Sequence, residues 1–397
     1  MPFTAATSDG AHDADATLLS EALEVPVETL RTLSREPLGA GTVAGFVLPA
    51  AAEGGPEEVA YIDSSQLAVT QETGLALDGV ARVWIHPADP HLPALAPAAF
   101  GDAVSVLLGR LGIHGAAMPE IVGYRPGRRA VLRVPTGDGA MWVKVVRPRR
   151  IERVVAAHAA LRDQGLPVPA VRGWSPQGLM VLDAAEGEPA TEVTWHPDVL
   201  LDEVTRLRDR LAAASLDWPA RTSLRERMPW YLERLRAHGL EHGSARWHER
   251  ADQLTTIETA VAEAPSATEV VTIHGDLHLG QLFVDGDTIT GLIDVDTAGA
   301  GGRGDDAAAF IAHALSSALL TEQSGRDADR VWALAASADE RWGHDPYTRS
   351  LVAVQLLGHA VGASAGGDPQ RAGRLLDLAE RAVSLPKSPL IAPFEEP

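Results

Sequence analysis

The chain has 397 residues, enough for two or three domains that each bury a core of their own. Its 34 basic and 54 acidic residues give a formal net charge of −20, which argues against nucleic acid or an anionic membrane as a partner, because both need basic surfaces. There is no cysteine, which excludes disulfides, thiolate nucleophiles and cysteine metal sites.

Targeting signals are missing from the sequence as given. The first residues are polar and lack the basic and apolar regions of a signal peptide. No run approaches the roughly 18 apolar residues that a membrane span needs. We therefore expect a soluble, cytoplasmic protein.

The first 110 residues or so predict a small β-rich region. A helix is expected over Thr17–Arg35, and short apolar runs between turns predict four strands. A connector rich in proline leads to a second helix, over Ala98–Leu111. The predicted strands are Val43–Leu48, Val59–Ile62, Gln66–Val69 and Val80–Ile85.

A new pattern begins at Glu120. Arg129–Val134 and Met141–Val146 flank a glycine-rich turn and predict a β-hairpin. Lys144 lies among apolar residues on the second strand, where a buried charge needs partners; the alternative is an edge-strand lysine that faces water. A helix over Arg149–Gln164, a strand over Leu179–Leu182 and a linker from Asp183 to Pro189 follow.

The rest of the chain is predicted to be mainly helical, with an apolar spacing close to 3.6 residues. Two short strands around residues 270–293 interrupt this pattern. The predicted helices lie near Pro197–Ala213, Ser223–His238, Ala245–Ala262, Asp305–Leu320, Asp327–Arg341, Pro346–Ser364 and Arg371–Ser384.

The most informative segment reads His-Gly-Asp-Leu-His-Leu-Gly-Gln over residues 274–281, followed by Ile-Asp-Val-Asp over residues 293–296. Asp276 and Gln281 are five residues apart, and Asp294 follows an apolar run. The protein-kinase catalytic loop places a base Asp and a metal-binding Asn at this spacing, with a metal-binding Asp downstream. Asp276 is therefore the candidate base, and Gln281 and Asp294 are candidate Mg²⁺ ligands. Gln281 stands where Asn is commoner.

These motifs resemble the aminoglycoside-phosphotransferase-like small-molecule kinases. The Leu-Gly-Gln ending is more similar to the actinobacterial maltokinase and glucosamine-kinase branch than to drug-resistance enzymes. The resemblance covers about 190 residues, from near Glu120 to near Phe310. It implies an α+β, protein-kinase-like fold with a β-rich N-lobe and a helical C-lobe, preceded by an extra N-terminal β-rich cap. The implied boundaries are residues 1–113 for the cap, 114–189 for the N-lobe and 190–397 for the C-lobe.

The resemblance also implies ATP and Mg²⁺ as cofactors and a hydroxyl of a small polar molecule as acceptor. A sugar or amino sugar ranks first and an aminoglycoside-type antibiotic second. On the nucleotide side, Lys144, Glu152 and Asp183 are the implied contacts, although Glu152 could equally be a solvated residue in the first turn of its helix. The sequence does not indicate the oligomeric state.

Several alternatives stay open. Asp296 could bind metal, contact the acceptor or be a solvated loop residue. His274 and His278 are predicted to shape the loop, but the His-x-Asp-x-His pattern also suits a zinc or iron hydrolase that has further ligands. Gly299–Gly304 is glycine-rich but lacks the Walker ending, and we interpret it as a loop after the metal-binding Asp. A kinase-shaped binding module without turnover is a further possibility.

Overall fold

The computed structural model describes residues 14–49, 57–77, 79–220, 224–241, 246–385 and 388–391. The chain forms two compact units. The first comprises Met1–Ala156 and Ala170–Ala184, and the second comprises Ala157–Pro169 and Ala185–Pro397. No helix in the described ranges is both long enough and apolar enough to cross a membrane.

An antiparallel sheet of five strands opens the first unit, in the order β1-β2-β3-β5-β4. Helix α1 (Ala14–Leu23) packs on this sheet, because Leu19 belongs to the same buried cluster as Phe46 and Ile62. The five strands of this sheet are β1 (Arg31–Leu38), β2 (Gly41–Val47), β3 (Val59–Asp63), β4 (Leu75–Leu77) and β5 (Ala81–Ile85). Three of the four strands predicted here are confirmed, as β2, β3 and β5.

The helix predicted over Thr17–Arg35 is too long. It ends at Leu23, and Glu24 takes a left-handed conformation with φ of 55°. Pro26 then disfavours helical geometry at the residue before it. From Arg31 the chain is instead the first strand of the sheet, paired with β2.

The strand predicted over Gln66–Val69 is also wrong. The Asp63 carboxylate accepts a hydrogen bond from the Ser65 backbone at 2.7 Å, and Gln66 is left-handed with φ of 58°. An aspartate that bonds the backbone two residues ahead favours a turn, which ends β3 at Asp63.

A second antiparallel sheet of five strands follows in the first unit, in the order β6-β7-β8-β10-β9. The β7–β8 hairpin confirms the predicted hairpin. The bounds of α4 (Pro148–Asp163) agree closely with those of the predicted helix. The remaining elements are α2 (Leu95–Ala99), α3 (Gly101–Arg110), β6 (Glu120–Arg125), β7 (Arg129–Thr136), β8 (Gly139–Val146), β9 (Val171–Ser175) and β10 (Leu179–Leu182).

The second unit is mainly helical, as predicted, and its helix bounds agree with the sequence periodicity to within a few residues. Helices α8 and α10 are buried along most of their length and form the centre of the core. The helices are α5 (Pro197–Ala213), α6 (Leu224–Glu241), α7 (Arg246–Glu263), α8 (Asp305–Gln323), α9 (Asp329–Trp342), α10 (Pro346–Ala365) and α11 (Pro369–Ser384).

Two small sheets interrupt these helices. One has the order β11-β13-β14, with bounds Glu188–Pro189, Leu282–Asp285 and Thr288–Leu292. The other pairs β12 (Val270–Ile273) antiparallel with β15 (Gly299–Gly302). Most of Gly299–Gly304 is therefore a strand, which corrects the loop predicted there. Its glycines suit this position because a Cβ at Gly299 would lie 2.6 Å from backbone atoms of residues 218–220.

Candidate active site

The His-Gly-Asp segment follows directly after β12. Gly275 has φ of 84°, and a Cβ there would lie 2.8 Å from the Thr297 carbonyl oxygen. Only glycine fits this turn without strain. Asp276 therefore lies just beyond the buried end of β12.

A single carboxylate stabilises this turn through hydrogen bonds to its backbone. Asp306, in the first turn of α8, accepts hydrogen bonds from the backbone nitrogens of His274 at 2.7 Å and Gly275 at 2.8 Å. Asp306 is buried, with 3% of its surface exposed. Hydrogen bonds to a carboxylate are stronger than those between neutral groups, so α8 fixes the loop that carries Asp276.

The predicted metal segment is bonded to the same loop. The Ile293 nitrogen donates to the Gln281 carbonyl at 3.0 Å, and His274 Nε2 lies 2.9 Å from the Ile293 carbonyl. The Thr297 hydroxyl donates to the His274 carbonyl at 2.9 Å. These bonds bring together the two halves of the motif, which are more than ten residues apart in sequence.

Asp294 does not lie on a strand. β14 ends at Leu292, Asp294 is left-handed with φ of 60°, and a 3-10 turn follows over Val295–Thr297. Strand alternation does not apply in a turn, so it does not determine whether the Asp294 and Asp296 carboxylates point the same way. Both carboxylates are partly exposed.

Gln281 is buried, with 7% of its surface exposed, and its side-chain nitrogen lies 3.0 Å from His278 Nε2. The Gly280 nitrogen donates to His278 Nδ1, also at 3.0 Å. A neutral imidazole accepts at one nitrogen only, so one of these contacts is made at a time. When the Gln281 amide donates to His278, its oxygen faces away and is available to a cation.

Three histidines converge beside Asp276. The His278 and His313 rings stack at 4.3 Å, and the His313 and His359 rings meet edge-on at 4.5 Å. His313 Nε2 lies 3.9 Å from Asp276 Oδ1. Burial lowers the pKa of His278, and burial also lowers the pKa of His359 to about 4.

The sequence analysis missed His313 and His359. They come from α8 and α10, 35 and 81 residues after His278, and no local spacing joins them to the loop. In the described part of the chain, no group of three or more His, Asp or Glu side chains is arranged to hold a metal. The metallohydrolase interpretation needs such a group.

Lys144 lies on β8, the central strand of the second sheet of the first unit. It is paired with Val131 on one side and Met180 on the other, and it is 4% exposed. The edge-strand alternative is therefore wrong. Its neighbours Val143 and Val145 belong to a buried apolar cluster on the opposite face of the strand, as expected because successive side chains of a strand point to opposite faces.

The other two predicted nucleotide residues lie in the first unit as well. Glu152 is exposed on α4. Asp183 follows β10 and accepts a hydrogen bond from Arg172 Nε at 2.6 Å.

The β6–β7 turn is held by hydrogen bonds. The Gly127 nitrogen donates to Asp89 at 2.7 Å, and Arg147 Nε donates to the Gly127 carbonyl at 2.6 Å. Tyr124 donates to the same Asp89 carboxylate at 2.9 Å. Burial raises the pKa of Asp89, while these hydrogen bonds oppose that shift.

Comparison with solved structures identifies the fold. A protein from Ralstonia eutropha JMP134 described as an aminoglycoside phosphotransferase is 12% identical, with a TM-score of 0.50, covering 72% of this chain and 98% of its own. A thermostable mutant of aminoglycoside phosphotransferase APH(4)-Ia, in complex with AMP-PNP and hygromycin B, is 15% identical, with a TM-score of 0.50 and coverage of 70% and 98%. These likenesses confirm the predicted protein-kinase-like α+β fold.

No curated protein matches the chain. The sequence profile of the phosphotransferase enzyme family (APH) matches residues 121–343. That span is 223 of the 397 residues, more than half of the chain, and it includes residues 274–281 and Asp294. The chain therefore belongs to the phosphotransferase enzyme family.

Proposed function

We propose that this phosphotransferase moves the γ-phosphoryl group of ATP to a hydroxyl of a small polar acceptor. The observation that carries the proposal is the bonding of residues 274–281 to residues 293–297. It holds a carboxylate, an amide and a second carboxylate, Asp276, Gln281 and Asp294, on two joined segments. Phosphoryl transfer needs this set of groups for positioning and charge stabilisation.

Asp276 is the base in this proposal. The acceptor hydroxyl donates its hydrogen bond to the Asp276 carboxylate. As the hydroxyl oxygen forms a bond to the γ-phosphorus, the bond to the ADP oxygen breaks and the proton passes to Asp276. The side chain is about one-third exposed, so an acceptor can reach it.

The oxygens of Gln281, Asp294 and Asp296 suit Mg²⁺, which prefers hard oxygen ligands and usually takes one or two carboxylates plus phosphate oxygens. Bound there, Mg²⁺ would neutralise charge on the phosphates. Two features of the chain support the fit: the Gln281 amide oxygen faces away from His278 when the amide nitrogen donates, and the left-handed turn at Asp294 places a carboxylate directly after the buried β14.

Lys144 is proposed to contact the ATP phosphates, with Glu152 and Asp183 as further nucleotide-side residues. Lys144 is a buried cation on the central strand of its sheet, and ATP phosphates are anions that a lysine binds well. The exposure of Glu152 makes it available to a ligand but gives it no preformed role. The domain boundaries at residues 113 and 189 remain part of the proposal, as does a cytoplasmic location.

For the acceptor we propose a sugar or amino sugar, on the resemblance of the Leu-Gly-Gln ending to the maltokinase and glucosamine-kinase branch. An aminoglycoside is the second candidate, because one solved structure of similar fold holds hygromycin B. The alternative function is that of a kinase-shaped binding module, which would bind the nucleotide through the same residues but would not transfer a phosphoryl group.

A panel of acceptors tests the proposal. Purified protein is incubated with ATP and Mg²⁺ and with glucose, glucosamine, maltose or hygromycin B, and ADP release and the phosphorylated product are measured. We expect acceptor-dependent ADP release with a sugar or amino sugar. ATP binding without transfer to any acceptor would favour the binding module and contradict the proposed function.

A further inference from the structure

The three-histidine column of His278, His313 and His359 is not explained by loop shaping alone. His278 contacts the loop through Gly280 and Gln281, but His313 and His359 come from helices α8 and α10 and extend the column away from the loop. Imidazoles are polar and costly to bury, so three of them packed beside the candidate base point to a ligand.

The distance between His313 and Asp276 leaves room for one oxygen atom. His313 Nε2 and Asp276 Oδ1 are 3.9 Å apart, which is too far for a direct hydrogen bond. Two hydrogen bonds of about 2.8 Å that meet at a common oxygen would span this distance with an angle of about 90° at that oxygen. Both side chains are partly exposed, at 25% and 32%, so a ligand can reach the point between them.

His359 lies behind His313. The two rings meet edge-on at 4.5 Å, and His359 Nε2 is buried with no hydrogen-bond partner among the described residues. An acceptor cannot reach a buried atom, so the His359 ring supports His313 through packing and does not bind the acceptor itself.

We propose that His313 forms the acceptor-binding wall of the active site: it holds the reacting hydroxyl against Asp276, and the His359 ring packed behind it keeps the His313 ring in place. The inference rests on the proposed function and adds the residues that position its acceptor. The reacting hydroxyl donates to Asp276 and accepts from His313 Nε2. Its remaining lone pair attacks the γ-phosphorus, the bond to ADP breaks, and the proton passes to Asp276 while His313 keeps its own.

Substitutions of the two histidines should affect the kinetics of the enzyme differently. His313→Ala removes a contact to the reacting oxygen, so kcat/KM for the acceptor should fall about 10–100-fold, mostly through kcat. His313→Gln places an amide N–H near the same point and should recover part of the loss. His359→Leu leaves an apolar side chain packed behind His313, so kcat and KM for the acceptor should both change much less than in His313→Ala.

The experiment is steady-state kinetics of these variants with the best acceptor of the panel, varying acceptor and ATP separately. The ATP KM should not change in any variant. His344→Ala, at an exposed histidine of the same unit, is the matched control and should behave like the wild type. Thermal melting of each variant confirms folding.

A measurement on the wild type covers the case in which a variant does not fold. Diethyl pyrocarbonate modifies accessible histidines, and mass spectrometry locates the adducts. Saturating acceptor should protect His313, whereas ADP alone should not. The inference fails if wild-type protein phosphorylates an acceptor while His313→Ala keeps wild-type kinetics or the acceptor gives no protection. Absence of transfer by the wild type would instead refute the proposed function.

Discussion

Replacing Asp306 by Asn should both destabilise the second unit and slow the enzyme. The carboxylate accepts from two backbone nitrogens, at 2.7 and 2.8 Å, in a buried position. Asparagine retains one oxygen acceptor, and its NH₂ group then faces the other N–H. The loss of one hydrogen bond to a charged group, together with a buried unsatisfied N–H, costs about 2–4 kcal/mol. For a unit of this size that corresponds to a fall in Tm of about 5–15 °C.

The assay combines thermal unfolding, followed by circular dichroism, with the initial rate measured well below the transition. We expect Asp306→Asn to lose rate even when folded, because the loop that carries Asp276 loses its support from α8. The neighbouring Asp305 is the matched control: it accepts from the Tyr347 hydroxyl at 2.6 Å, and an asparagine oxygen can still do so. If Asp306→Asn melts and turns over like the wild type, the carboxylate does not hold the loop and our reasoning is wrong.

Three other predictions concern the metal, the nucleotide and pH. Lys144→Ala should weaken ATP binding with the Mg²⁺ dependence retained, whereas Asp294→Ala should need far more Mg²⁺ or lose activity; equal defects with unchanged metal titrations would contradict these separate roles. Gln281→Asn should lose much of its Mg²⁺-supported rate and recover part of it with the larger Mn²⁺, because the shorter side chain stops about one methylene short; unaltered metal curves would leave Gln281 only a loop-shaping role. His359 has a native pKa of about 4 and an unfolded pKa near 6.5, so the unfolded state takes up a proton first as pH falls. The free energy of unfolding should drop by about 2–3 kcal/mol between pH 7 and pH 4.5 from this residue, and denaturant titrations of His359→Leu at both pH values should lack that part of the drop.

The sequence predicted the elements whose pattern is local. The helices of the second unit follow from apolar spacing, and the β7–β8 hairpin follows from two alternating runs around a glycine-rich turn. The position of Lys144 on a buried strand also follows from alternation. What failed depends on backbone geometry at single residues: the left-handed Glu24 that follows α1, and the left-handed Gln66 in the turn after β3.

The candidate site was predictable in part for the same reason. Asp276, Gln281 and Asp294 lie in one motif with a fixed spacing, so the residues could be named from the sequence. The histidine column could not, because His313 and His359 reach His278 only when α8 and α10 pack beside the loop. The role of Asp306 was not predictable either, because its two hydrogen bonds to the loop depend on where α8 begins in space.

The central claim is that Asp276 is the base of a phosphoryl transfer. The most direct test compares wild-type protein with Asp276→Asn in acceptor-dependent ADP release, with ADP binding measured separately by calorimetry. Asparagine keeps the size of the side chain but cannot take the proton, so we predict a rate about 10²–10⁴-fold lower with ADP affinity unchanged. A variant that keeps close to the wild-type rate would show that Asp276 is not the base and would contradict the account.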